Sequence, residues 1–291
     1  MTGRAGQRAA LALTRGDPAG IGPELALQAW LATHSDPDAV PFFIVAHPDH
    51  LSRLAQKLAW NVPMAIVAPL EAAATFPHAL PIVALPDTVA SEPGHPAASD
   101  ATGTIASIET CVGLIKSGAA AAIVTNPISK EMLYRAGFPY PGHTEFLGAL
   151  AARDFGKTVR PVMLLWSPEL AVVPATIHVP IAQVPALMTR ELLVETGRIV
   201  ATDFVQRFGI TAPRLAFAGL NPHAGEGGEI GREDCDIIAP ALADLAALGI
   251  AVSGPYPADT LFHAAARRKY DVVIAMYHDQ ALIPIKTLAF E

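Results

Sequence analysis

The chain has 291 residues, enough for about two domains by the usual prior of roughly 150 residues each. With 52% hydrophobic and 16% charged residues it cannot belong to the disordered class, which inverts that balance. A net charge of −7 without clustered Lys and Arg excludes broad nucleic-acid binding, and the lack of an apolar run of about 18 residues excludes a membrane helix.

The opening, MTGRAGQRAALALTRGDPAG, carries early arginines and a short apolar patch that Arg15 interrupts before a signal-peptide core is complete. Secretion is not expected. Cys111 and Cys235 form neither a CxxC pair nor a disulfide framework, and read as reduced thiols of a cytoplasmic protein. Strand-like apolar runs follow at 11–16, 42–47, 121–126, 161–166, 172–178, 214–220 and 271–278. Amphipathic stretches at 22–33, 105–118, 186–208, 235–248 and 258–269 predict helices between many of them. Runs apolar on both faces suit buried parallel strands, so the alternation predicts an α/β fold with helices covering its sheets. The Pro-, Ser- and Asp-rich segment 85–103 reads as a surface excursion and as a candidate crossing between lobes.

Five strand-like runs end in groups capable of chemistry: TRGDPAGIGPE, VTNPISK, PATIHVP, AGLNPHAGEGG and AMYHDQ. In open α/β sheets, ligands bind beyond the carboxyl ends of strands. His178, His223 and His278 stand at three of these ends. Imidazole is a favoured ligand for divalent metals, and three nitrogen ligands leave positions open for substrate. The competing reading is three unrelated histidines bonded to nearby carbonyls, and spacing leaves both open.

GHTEFLGAL (142–150) sets His143 and Thr144 after a Pro-Gly turn and before a helix opened by Glu145. Thr144 reads as an N-cap or, with His143, as part of an anion site at a helix N-terminus. GDPAGIGPE (16–24) and GEGGEIG (225–231) match neither G-x-G-x-x-G nor G-x-x-x-x-G-K-[ST], which disfavours a common nucleotide loop and leaves Asp17 and Glu24 as candidate polar lining. Lys286, alone in ALIPIKTLAF, reads as a lysine reaching solvent along apolar surface or as a ligand for a substrate anion.

Taken in order, GDPAGIGPE, TNPISKE, GHTEFL, TIHVP, GLNPHAGEGGEIGRED, GPYPADTLF and AMYHDQ with IPIK resemble the 4-hydroxythreonine-4-phosphate dehydrogenase family of vitamin B6 biosynthesis, across nearly the whole chain. The resemblance implies two α/β/α lobes around a cleft, as in isocitrate and isopropylmalate dehydrogenases. Residues 1–126 and 272–291 would form the first lobe, and 127–271 the second, with the metal site and the dimerisation surface. It implies a homodimer with one divalent ion per site, zinc, magnesium or cobalt, on His178, His223 and His278, the last donated across the interface. His143, Thr144 and Lys286 would bind substrate, with His143 and Lys286 as candidates for proton transfer.

The cofactor implied is NAD or NADP, and the residues that hold it stay unassigned. The implied reaction oxidises the secondary alcohol of 4-phosphooxy-L-threonine and β-decarboxylates the product to 3-amino-2-oxopropyl phosphate. Alternatives are a paralogous dehydrogenase of D-threonate or D-erythronate 4-phosphate and, in a different class, a metal-dependent hydrolase. The family continues beyond the position of Glu291, through a substrate-binding Asn and Arg and a loop that helps hold the nucleotide, so these 291 residues are expected to be part of a longer protein.

Overall fold

A computed structural model describes residues 9–156 and 160–290; residues 1–8, on which the reading of the chain's opening partly rests, lie outside the described residues. The chain divides into two compact units, residues 1–161 and 162–291, each built on a five-stranded sheet.

The first unit begins β1 (Leu11–Thr14), α1 (Gly22–Thr33), β2 (Phe42–Ala46), α2 (Pro48–Lys57), β3 (Met64–Ile66) and α3 (Ala72–Thr75). It continues β4 (Leu80–Ala84), α4 (Ala101–Lys116), β5 (Ile123–Val124), α5 (Lys130–Arg135) and α6 (His143–Phe155). All five strands are parallel, in the order β3-β4-β2-β1-β5. Both faces of this sheet are covered. Leu13, Ile44 and Ile82 pack with Leu27 and Trp30 of α1 and Leu51 of α2, while Ala12, Phe43 and Val45 share a second cluster with Cys111 of α4. Strands buried this way lose the period-two signal and read as continuous apolar runs. β3 and β4 were not among the predicted runs, because Pro63 and Pro81 interrupt their apolar stretches.

β1 leads into Arg15, which is only 1% exposed. Its backbone N–H donates to Ser107 Oγ at 3.0 Å, and its guanidinium pairs with Asp87 and donates to the Asp100 carbonyl at 2.6 Å. The Asp100 carboxylate in turn accepts the backbone N–H groups of Ala90 and Ser91, at 3.0 and 2.8 Å. Segment 85–103 is therefore anchored within the first unit by two acids, which corrects its reading as a crossing between lobes.

His50 of α2 is 5% exposed and its ring bonds to the Pro18 carbonyl. Burial, with the Arg15 and Arg53 guanidiniums nearby, holds this imidazole below its ordinary value of 6.5. The folded state then binds fewer protons than the unfolded one, so stability is full above the unfolded value and is lost as pH falls through it. Urea unfolding at about pH 7.5 and about pH 5.5 should show wild type weakening by at most about 1.4 kcal/mol per pH unit from this group, and His50→Gln weakening less. Equal losses would remove His50 from the account.

The second unit begins β6 (Leu165–Ser167), β7 (Leu170–Pro174), α7 (Val184–Leu187), α8 (Arg190–Phe208) and β8 (Arg214–Ala218). It continues α9 (Ala239–Ala247), β9 (Ala251–Tyr256), α10 (Ala264–Arg267), β10 (Val272–Ala275) and α11 (His278–Leu288). Its order is β6-β7-β10-β8-β9, with β6 antiparallel to β7 and every other pairing parallel. Val173, Leu215, Phe217 and Ile274 pack with Leu193 and Phe204 of α8 and Leu245 of α9; Val172, Ala216 and Val273 pack with Ala281 and Ile285 of α11.

Two expectations are corrected here, at 272–291 and at 258–269. Residues 272–291 do not join the first sheet, because β10 is the central strand of the second, hydrogen-bonded to β7 and β8, and α11 packs on the same sheet. The apolar stretch around Lys286 is helical, with Ala281, Ile285 and Leu288 recurring at helical spacing and Pro284 inside. The helix expected at 258–269 shrinks to one turn at Ala258–Thr260 and the short α10, since the Leu261 carbonyl accepts the Tyr270 hydroxyl at 2.9 Å. β9 was also not predicted; its Gly254 and Pro255 obscure the strand pattern, and both residue types are tolerated at a sheet edge.

Candidate functional site

β7, β10 and β8 are neighbours and parallel, so their carboxyl ends share one edge of the second sheet. His178 follows β7, His223 follows β8 and His278 opens α11 directly after β10. The rings of His178 and His278 face each other with centroids 5.6 Å apart and planes at 45°. Two imidazoles on one tetrahedral ion, with metal–nitrogen bonds of about 2.0–2.1 Å, would place their centroids about 5 Å apart. A shared ion therefore needs only a small adjustment. His278 Nδ1 lies 2.7 Å from Asp279 Oδ1, and donation to that carboxylate leaves Nε2 as the lone-pair nitrogen. A carboxylate behind a ligating imidazole fixes both its tautomer and its orientation. The pair lines a cavity of about 230 Å³ together with Thr176, Ile181, Val184 and Tyr277.

His223 stands in a different local structure. From His223 to Gly227 every φ is positive, at 54, 52, 78, 44 and 69°. Left-handed backbone costs a non-glycine residue roughly 1–2 kcal/mol, so His223, Ala224 and Glu226 hold this turn only because their surroundings impose it. Asp234, 1% exposed, supplies much of that constraint. Its carboxylate accepts the backbone N–H of Leu220 at 2.9 Å, that of Asn221 at 3.1 Å, and Asn221 Nδ2 at 2.9 Å. Among the described residues no three His, Cys, Asp or Glu side chains of one chain form a metal-binding group. The fold thus brings two of the three histidines together and places the third at the same sheet edge.

In the first unit, α6 starts at His143, with the extended Gly142 before it and no side-chain cap. Thr144 is therefore inside the helix and is not its N-cap. His143 Nε2 is buried without a hydrogen-bond partner among the described residues, and burial holds this imidazole below its usual range. An unpaired buried group of this kind costs about 1–3 kcal/mol, which a ligand atom can recover. A Cβ placed on Gly142 would lie 3.9 Å from Lys130 Nζ, so a lysine stands beside the same helix end. The Glu145 carboxylate is nearer still, with Oε2 3.6 Å from that Cβ position, so the helix dipole, Lys130 and His143 suit an anion against one opposing charge.

The family model of the pyridoxal phosphate biosynthetic protein PdxA matches residues 38–291. The chain belongs to the PdxA family. The 4-hydroxythreonine-4-phosphate dehydrogenase of Methylorubrum populi is 54% identical to this PdxA chain over 283 residues, covering 97% of it and 81% of the relative. The protein of that name from Bradyrhizobium diazoefficiens is 51% identical over 289 residues, covering 97% and 83%. The crystal structure of 4-hydroxythreonine-4-phosphate dehydrogenase from Klebsiella pneumoniae superimposes with a TM-score of 0.84 at 34% identity, over 97% of this chain and 86% of that one. The PdxA chain thus has the α/β fold of these dehydrogenases and is an oxidoreductase.

Other expected positions of this PdxA chain are less clearly functional. Lys286 is exposed near the end of α11, where a cation is favoured by the helix dipole whatever it binds. Asp17 Oδ1 accepts the Ala19 N–H at 3.0 Å, which makes it part of its own turn, and Glu24 lies in the first turn of α1. Asp234 and Asp279 were not singled out in the sequence, although both lie inside its most specific motifs. An acidic residue beside a histidine, or one closing a glycine-rich turn, is the only signal they carry. No described helix is long and apolar enough to cross a membrane.

Proposed function

We propose that this chain oxidises 4-phosphooxy-L-threonine with NAD or NADP and β-decarboxylates the product to 3-amino-2-oxopropyl phosphate, in keeping with the name its relatives carry. The observation that carries this reading is the His178–His278 pair at the carboxyl ends of adjacent parallel strands, with Asp279 behind one ring. Neutral imidazoles at this spacing fit zinc or cobalt, and magnesium less closely, because magnesium prefers oxygen ligands. When bound, the divalent ion polarises the substrate alcohol and the nicotinamide takes the hydride.

His178, His223 and His278 are the proposed metal ligands. One chain pairs only His178 with His278 among the described residues, which leaves His223 as the ligand still to reach the ion, and a homodimer is our proposed way of bringing three histidines together. His143, uncharged and with a buried Nε2 lacking a partner, is suited to accept a hydrogen bond or a proton from a substrate hydroxyl. Thr144 and the free N–H groups of the α6 first turn are suited to the substrate's phosphate or carboxylate. Lys286 is proposed as a further anion ligand and a second candidate for proton transfer.

The test follows reduced nicotinamide by its absorbance, with NAD or NADP, a divalent ion and 4-phosphooxy-L-threonine, beside the D-threonate and D-erythronate 4-phosphates. Turnover is expected with the L-threonine compound, to vanish after dialysis against a chelator and to return with added cobalt or zinc. Preference for another acid would move the assignment to a paralogous dehydrogenase. Substrate cleavage without reduced nicotinamide would favour the hydrolase.

A further inference from the structure

The three histidine-bearing turns are stitched together by buried hydrogen bonds that pass through the side chains of Thr176 and Gln280. In the His178 turn, the Thr176 N–H and Oγ1 both donate to the Met276 carbonyl, at 3.2 and 2.8 Å. The Met276 N–H donates to Gln280 Oε1 at 2.7 Å, within the turn that carries His278. Gln280 Nε2 then donates to the Gly219 carbonyl at 2.8 Å, which is the entry to the His223 turn. Gly219 is itself tightly seated. A Cβ there would fall 2.7 Å from Asp234 Oδ1 and 2.9 Å from Ala224 Cα, inside the left-handed turn.

Gln280 is 8% exposed, and Thr176 and Met276 are buried with it. Only a side chain that donates and accepts at once can serve both backbone groups; a carboxylate offers acceptors alone, and a thioether offers almost nothing. The link also spans the gap that matters. Thr176 joins the His178 and His278 turns through β7 and β10, while Gln280 is the side chain that connects either of them to the turn of His223.

We propose that Gln280 is a positioning residue of the metal centre, setting the His223 turn against the turns of His178 and His278. This inference rests on the metal-centre reading of the site. The side chain does not itself ligate; it acts through backbone groups, as outer partners of metal sites do. Within one chain the relative placement of the three turns passes through it.

The experiment titrates Co²⁺ into the metal-free wild-type chain and into Gln280→Met and Gln280→Glu, reading affinity and the visible absorption of the bound ion. Both variants keep the side-chain length. Both are expected to bind about 10–100-fold more weakly, the range for lost outer-sphere partners, with altered absorption. A merely structural role would lower the unfolding temperature of the metal-free protein and leave affinity and absorption unchanged, and that result overturns the proposal. If wild type binds no Co²⁺, the metal-centre reading fails first and takes the inference with it, an outcome separable from wild type and variants binding alike. Should neither variant fold, hydrogen exchange on wild type decides. Co²⁺ is expected to slow exchange at Met276 and across Leu220–Gly227 together, and protection confined to the Met276 turn overturns the proposal.

Discussion

His178→Ala is expected to lower kcat/KM by more than about a hundredfold and to weaken Co²⁺ binding by at least as much, since even outer-sphere partners are worth about 10–100-fold. The effect should be separable from folding. His178 is exposed and lies past the end of β7, and among the described residues its aromatic-ring contact is with His278. Its φ of 53° is already costly for any residue other than glycine, so alanine adds no new backbone strain there. Asp279→Asn provides the graded comparison. It keeps an acceptor near His278 Nδ1 but removes the charge, and about a tenfold loss is expected, at the low end for a carboxylate behind a ligating imidazole. Steady-state rates and Co²⁺ titrations on both variants check this. Full metal binding by His178→Ala would mean that the ion, if one binds, sits elsewhere.

Gly103→Ala should be the most damaging small substitution in the first unit. A Cβ on Gly103 would overlap the Asp87 carboxylate and come within 2.6 Å of Arg15 Nη2. Asp87 could swing away, but only by leaving Arg15, whose guanidinium is buried with Nε already unpaired. Breaking a buried pair costs about 3–5 kcal/mol, because the remaining charge is left without compensation. For a chain of this size that corresponds to a fall in Tm of roughly 5–10 °C. Gly113→Ala, in the same helix, should do the opposite. Nothing lies within 4 Å of its Cβ position, so the gain in helix propensity of about 0.5–1 kcal/mol should appear as added stability. Thermal unfolding of the two variants tests the sign as well as the size. If both shift Tm alike, the Arg15–Asp87 contact does not control this helix.

Much of this protein was legible before any coordinates. Buried parallel strands announce themselves as continuous apolar runs, so β1, β2, β7, β8 and β10 were found from those runs alone. Their polar endings marked His178, His223 and His278, because parallel strands present functional groups at their carboxyl ends. A helix after the Pro-Gly turn was likewise visible, although it begins at His143 and not at Glu145. These are local signals, written within a few residues of the chain.

What the sequence left undecided was everything that depends on pairing between distant segments. The sheet that receives β10 is chosen by strand order, and no local feature of 272–275 states it. Pro63, Pro81 and Gly254 hid strands whose stability comes from their neighbours. The His178–His278 spacing and the Gln280 link to Gly219 are contacts between residues far apart in sequence, and a buried amide bonded to two strand ends looks on paper like any glutamine. Periodicity and motif determined which residues stand as candidates at the strand ends; only the packing of β7, β10 and β8 side by side decided which of them could meet, because proximity across a sheet is set by register and strand order.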